Sequence, residues 1–163
     1  MTERPTNLRL DDQLCFALYA ATNAVVRAYR PLLHHIGLNY PQYLVILVLW
    51  QDGEQAVHQI AARGALPAHA LSPLVHRLQR AGLVRLRREP PDRRVVHVQL
   101  TAAGEALHAA AAEAQRTVAC QTRLPPRGLD DCATSCTPWS TRWPHRPPNG
   151  ARYPIRPKEP RHD

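Results

Sequence analysis

The strongest constraint on this chain is where its prolines fall. Of 16 prolines in 163 residues, 7 lie in residues 1–120 and 9 in residues 121–163. Proline lacks a backbone N–H and clashes with the preceding helical turn, so a dense run works against both helices and central strands. The first part is therefore expected to carry the fold. Residues 123–163, with Pro125-Pro126 and Pro147-Pro148, are expected to form an irregular, disordered tail. Apolar residues make up 44% of the chain, enough for a core, which argues against wholesale disorder.

Within the first part, Leu14, Leu18, Ala21, Val25 and Ala28 recur at helical spacing in residues 10–35, and Gly37 supplies a stop signal. Residues 41–50 are apolar all round, which suits either a buried strand or a core helix. Pro41 at a natural helix start and helical neighbours on both sides favour the helix. Two short helical patterns follow at residues 57–63 and 70–81, separated by a turn at Gly64 and Pro67 and closed by Gly82. The period then changes to strands at residues 83–88 and 95–100, joined by a charged tip. Thr101 is placed to cap an alanine-rich helix that runs to about residue 122. Four helical patterns, a hairpin and a last helix give the order of a winged helix-turn-helix. The expected fold is mainly α with a β-hairpin wing over residues 8–122.

Charge points the same way. The formal net charge is +8, and Lys158 is the only lysine among 21 basic residues. Arg77, Arg80, Arg85, Arg87, Arg88, Arg93 and Arg94 crowd into 18 residues covering the second short helix and the hairpin. Such a helix can enter the major groove of DNA while arginines at a hairpin tip reach the neighbouring minor groove. Phosphate neutralisation would supply most of the affinity. Double-stranded DNA is the expected partner, with Arg77, Arg87 and Arg93 among the contacts.

Residues 1–13 are polar and no stretch reaches 18 apolar residues, so neither a secretory signal nor a membrane span is expected. Four cysteines without a signal point to a reducing compartment and a cytoplasmic location. Cys132 and Cys136 have no second pair at zinc-finger spacing, so no metal or cofactor is expected.

The segments LDDQLCFALYAATNAVVRAYRPLL, GLNYPQYLVILVLW, SPLVHRLQRAGLVRLR and DRRVVHVQLTAAGEAL resemble the MarR family of winged-helix repressors. Within it, LCFALY and YPQYLVILVLW are similar to the organic-hydroperoxide-sensing subgroup. The resemblance implies a homodimeric, non-enzymatic repressor that leaves a pseudo-palindromic operator when a cysteine is oxidised by an organic hydroperoxide. It places Cys15 at the reactive position, with Tyr19, Tyr29 and Tyr40 around the sulfur, partly supplied by the partner subunit. Cys120 falls where a two-cysteine subgroup keeps a resolving cysteine that forms an intersubunit disulfide. Asp92 and Arg94 match the family's wing pattern, in which the arginine enters the minor groove.

Two departures stand out. The subgroup opens its recognition helix with small polar residues, whereas this chain has Pro67-Ala68-His69-Ala70, keeping only Ser72, His76 and Arg77 as polar groups further on. The family also ends in an amphipathic dimerisation helix, expected here to be missing or scrambled. Cys132, Cys136, Trp139 and Trp143 sit at helical spacing, and their codons all begin TG. Read one base earlier, with GC-rich third positions, CATSCTPWSTRW can become LRDELHALVDAL, so the tail is expected to be the product of a frameshift near Asp131. Two other readings use the same residues: a MarR-type repressor that answers a small phenolic ligand, with Cys15 a bystander, and a thiol-dependent peroxide-reactive protein with impaired DNA binding.

Overall fold

The structure, a computed structural model, describes residues 9–88 and 95–142. The chain divides into two units, with the boundary between Pro125 and Pro126. In the first unit a single 3-10 turn, Leu10–Asp12, leads into α1 (Leu14–His35), followed by α2 (Tyr40–Asp52), β1 (Gln55–Ala56), α3 (Val57–Arg63) and α4 (Ala68–Arg80). Strands β2 (Val84–Arg88) and β3 (Val96–Leu100) come next, then α5 (Ala102–Ala106) and α6 (His108–Gln121).

The apolar run at residues 41–50 is a helix. Asn39 and Gln42 close a capping box at its start: the Gln42 N–H donates to Asn39 Oδ1 (3.0 Å) and the Asn39 N–H to Gln42 Oε1 (2.9 Å). A 13-residue helix is too short to hold itself in water, so burial must hold this one. Tyr43, Val45, Ile46, Val48 and Leu49 are all buried, packed in one core with Leu33 of α1, Ile60 of α3, Leu71 and Leu78 of α4, and Val98 of β3.

The three strands form an antiparallel sheet in the order β1-β3-β2. Val84 pairs with Leu100 and Arg88 with Val96, while Gln55 and Ala56 pair with Val98 and His97 on the other edge of β3. The two-residue β1 has no periodicity of its own and went unseen in the sequence. Gly37 and Gly82, both at φ +73°, take the left-handed conformation after α1 and α4 that ends a helix at low cost to glycine.

Two expectations need correcting. The helix after Thr101 is not continuous: α5 ends at Ala106, and α6 starts at His108 beyond a break at Leu107. Thr101 does cap α5, accepting from the Gly104 N–H (3.2 Å) and donating through Oγ1 to the Gly82 carbonyl (2.6 Å). The second correction concerns the tail. Residues Pro126–Arg142, which make up the described part of the second unit, form a 17-residue helix, α7. Pro126 stands at its first position, where a missing N–H costs nothing. An internal proline removes one hydrogen bond without always ending a helix, as Pro31 in α1 and Pro73 in α4 also show. Residues 143–163 lie outside the described residues. Among the described residues no single helix is long and apolar enough to cross a membrane.

The junction between wing and α5 is tight. A Cβ on Gly104 would run into the Leu83 carbonyl oxygen and the Leu100 side chain. Backbone cannot yield as a flexible side chain can, so Gly104→Ala is expected to destabilise the fold by about 1–3 kcal/mol. Urea unfolding of the two proteins side by side measures it. An unchanged midpoint would mean that the junction is looser than described.

Candidate DNA-binding face and cysteine environment

Helices α3 and α4 form the helix-turn-helix, and α4 is sharply two-sided. Leu71, Leu74, Val75 and Leu78 are buried, while His69, Ser72, Pro73, His76, Arg77, Gln79 and Arg80 are exposed. The sequence-expected contacts Ser72, His76 and Arg77 thus share the solvent side of the second helix. His76 Nδ1 lies 3.4 Å from Gln79 Oε1.

The hairpin arginines have different surroundings. Arg85 donates from Nε (2.9 Å) and Nη2 (2.7 Å) to Oε1 of Gln99, its cross-strand partner. Arg87 Nη2 lies 3.2 Å from Glu54 Oε1, and His97 Nδ1 lies 3.8 Å from the same oxygen. Both arginines are therefore tied to the base of the wing, where an exposed pair contributes about 0–1 kcal/mol and mainly sets orientation. Arg88 is exposed at the end of β2. It also lines a cavity of about 320 Å³ between the helix-turn-helix and the wing, together with Val57, His58, Ser72, His76 and Leu86. Asp92, Arg93 and Arg94 lie outside the described residues.

Cys15 is exposed in the first turn of α1 with Tyr19 one turn on, 66% exposed. Leu10, Leu14, Phe16 and Leu18 beside them are also uncovered. Tyr29 and Tyr40 lie elsewhere. Tyr29 is 14 residues further along α1, about 20 Å at the helical rise, so one chain does not bring it to Cys15. Cys120 is exposed near the end of α6. That end lies beside Ala24, Val25 and Ala28 of α1, and Ala24 is about 13 Å along the axis from Cys15.

Tyr29 and Tyr40 form a cluster with a third tyrosine that the sequence reading missed. Tyr43 packs its ring 5.6 Å from that of Tyr29 and 6.1 Å from that of Tyr40, with Tyr29 and Tyr40 5.3 Å apart. The signal was present, since Tyr40 and Tyr43 stand three residues apart and so share a face of α2, but Tyr43 had been absorbed into the apolar run. Burial pushes all three phenols above their ordinary value, most strongly Tyr29. Tyr29 is raised further by its neighbours Tyr43 and Tyr40 and by donating its hydroxyl proton to Tyr43.

The arrangement defines a class: a winged helix-turn-helix with a basic, exposed second helix. The MarR family model matches residues 36–95. The HTH-type transcriptional regulator TtmR of Methylorubrum extorquens is 49% identical over 106 residues, which are 65% of this chain and 54% of that protein. This chain thus spans about half the length of TtmR. The organic hydroperoxide resistance transcriptional regulator of Bacillus subtilis is 32% identical over 118 residues, 72% of this chain and 80% of the relative. The structure of reduced AbfR bound to DNA, a protein of Staphylococcus epidermidis, superposes with a TM-score of 0.67 at 29% identity, covering 80% of this chain and 91% of AbfR. The chain belongs to the MarR family of transcriptional regulators.

The tyrosine cluster makes a prediction about alkaline pH. A phenol whose folded value is raised stabilises the fold fully below the unfolded value of 10.0 and loses that contribution as pH rises above it. Stability should therefore fall above pH 10.0, and Tyr29→Phe should flatten part of the fall. Tyrosinate absorbance followed alongside circular dichroism tests this. Ionisation of all the tyrosines near pH 10.0 with the fold intact would contradict it.

Proposed function

We propose that the chain is a DNA-binding transcriptional repressor that acts as a homodimer and releases its operator when an organic hydroperoxide oxidises Cys15. The observation that carries this reading is Cys15 itself: an exposed thiol on α1, one turn from Tyr19, within an uncovered apolar strip (Leu10, Leu14, Phe16, Leu18). A monomer gains nothing by leaving that strip in water, and a second copy of α1 covers it. The partner also relieves the geometric problem, because the Tyr29 and Tyr40 that serve one Cys15 come from the other subunit. The identity with the Bacillus subtilis regulator supports the inducer class.

In the reaction the Cys15 thiolate attacks one peroxide oxygen and the O–O bond breaks. The departing alkoxide takes a proton and leaves as alcohol. Sulfur is oxidised to sulfenic acid while the hydroperoxide is reduced by two electrons. Phenol hydroxyls near the sulfur favour the thiolate. The Cys120 thiol of the partner subunit then displaces water from the sulfenic acid to give an intersubunit disulfide. On DNA, Ser72, His76 and Arg77 of α4 face the major groove, with Arg87, Asp92, Arg93 and Arg94 serving the wing.

A second reading has one observation in its favour. A cavity of about 300 Å³ lined by Arg30, His34, Asn39 and Tyr40 suits a small phenolic ligand. The Cys15→Ser variant separates the two readings in a gel shift with reduced and cumene-hydroperoxide-treated protein. The wild type should lose its retarded band on treatment, whereas Cys15→Ser should keep it. Equal release from both proteins would reject the thiol mechanism and leave the ligand reading.

A further inference from the structure

Helices that read DNA contact base edges mainly through their N-terminal residues. In α4 the first nine residues are Ala68-His69-Ala70-Leu71-Ser72-Pro73-Leu74-Val75-His76. Only His69, Ser72 and His76 among them carry a side chain that can hydrogen-bond a base edge. All three are exposed. They fall at three- and four-residue steps, continued four residues on by Arg80, and so lie in one stripe on the side opposite Leu71 and Leu78. Pro67 at the N-cap makes no side-chain capping bond.

Imidazole differs from the usual base-reading side chains because its hydrogen-bonding pattern depends on a proton. The neutral ring has one donor and one acceptor, whereas the imidazolium has two donors. With Nδ1–H donated to Gln79 Oε1 (3.4 Å), Nε2 of His76 is an acceptor in the neutral ring and a donor in the charged one. An acceptor suits the amino groups of adenine or cytosine, and a donor suits N7 and O6 of guanine.

Helices α2 and α3 and strand β2 pack against α4. Their charged and titratable groups are Tyr40, Tyr43 and Asp52 of α2, His58 and Arg63 of α3, and Arg85, Arg87 and Arg88 of β2. Asp52 is engaged by Arg63 (3.3 Å), and Glu54, just before β1, by Arg87 and His97. Among the described residues, then, each neighbouring carboxylate already has a cationic partner. Glu89 and Asp92 of the wing tip lie outside them. A DNA duplex laid along the stripe would bring the missing negative charge.

We propose that His69 and His76 form a proton-dependent base reader, so that acidification moves the chain's sequence preference towards guanine beneath α4. The proposal rests on the DNA-binding reading above. Both histidines are exposed, so replacing them with glutamine, which keeps a donor and an acceptor but does not titrate, leaves the core untouched.

The test is selection of duplexes from a randomised library by the full reduced chain at pH 7.5 and at pH 6.0. Affinities for the selected and for unrelated duplexes are then measured at both values. The expected result is a guanine enriched in each half-site at the lower pH. Affinity for that duplex should rise about fourfold over the change, relative to unrelated DNA, as for one proton held about a unit more tightly in the complex. His69→Gln/His76→Gln should abolish both the enrichment and the relative rise. The same selected sequence with the same relative affinity at both pH values would overturn the reader while leaving DNA binding intact. A pH response that survives in the double variant would do so too. Failure to select any sequence at either pH would overturn the DNA-binding reading and this proposal with it.

Discussion

Helix α2 has no polar side to turn towards water, and the architecture follows from that. With Tyr43, Val45, Ile46, Val48 and Leu49 all buried, it has to be enclosed. The structure encloses it with α1, α3 and α4 and with the middle strand β3. Each buried aliphatic or aromatic side chain contributes about 1.5–3 kcal/mol, so these five outweigh any local propensity of the elements around them. The position of α4 is therefore set from within. Its Leu71, Leu74, Val75 and Leu78 answer α2 and its neighbours, and that fixes which side chains remain on the outer surface.

Much of this was legible in the sequence because it depends on periodicity. The helical spacing in α1, the two-sidedness of α4, the switch to strands and the capping threonine all leave marks within a few residues. What escaped lacks such marks. Strand β1 is only two residues long, and its pairing with β3 is a tertiary event. The break at Leu107 interrupts an alanine-rich run that carries no proline to mark it. Helix α7 is hidden by the prolines of the tail, although Pro31 and Pro73 show that a helix of this chain can hold one inside it. The site divided in the same way. Residues on one helix face, such as Ser72 and His76, could be placed together, whereas the company that Tyr43 keeps with Tyr29 is settled only by packing.

The arginine cluster illustrates a different limit. Composition treats its members alike, but in the fold they have separate tasks. Arg85 spans the hairpin to Gln99, and Arg87 ties the wing to Glu54 ahead of β1, so part of the positive charge near the expected DNA face serves to hold the wing in place. This leaves α4 itself with a modest charge and an unusual share of imidazole.

The uneven burial of α1 has a mechanical meaning. Its C-terminal half is anchored in the core by Tyr29 and Leu33, while the half bearing Cys15 leaves Leu14, Phe16, Leu18 and Tyr19 exposed. A stiff rod held at one end transmits a displacement of its tip to the clamp. Here the contact is Tyr29 of α1 against Tyr40 and Tyr43 of α2, and α2 packs directly on α4. The buried end of α1 and the outer surface of α4 are thus separated by a single helix, α2, which packs on both.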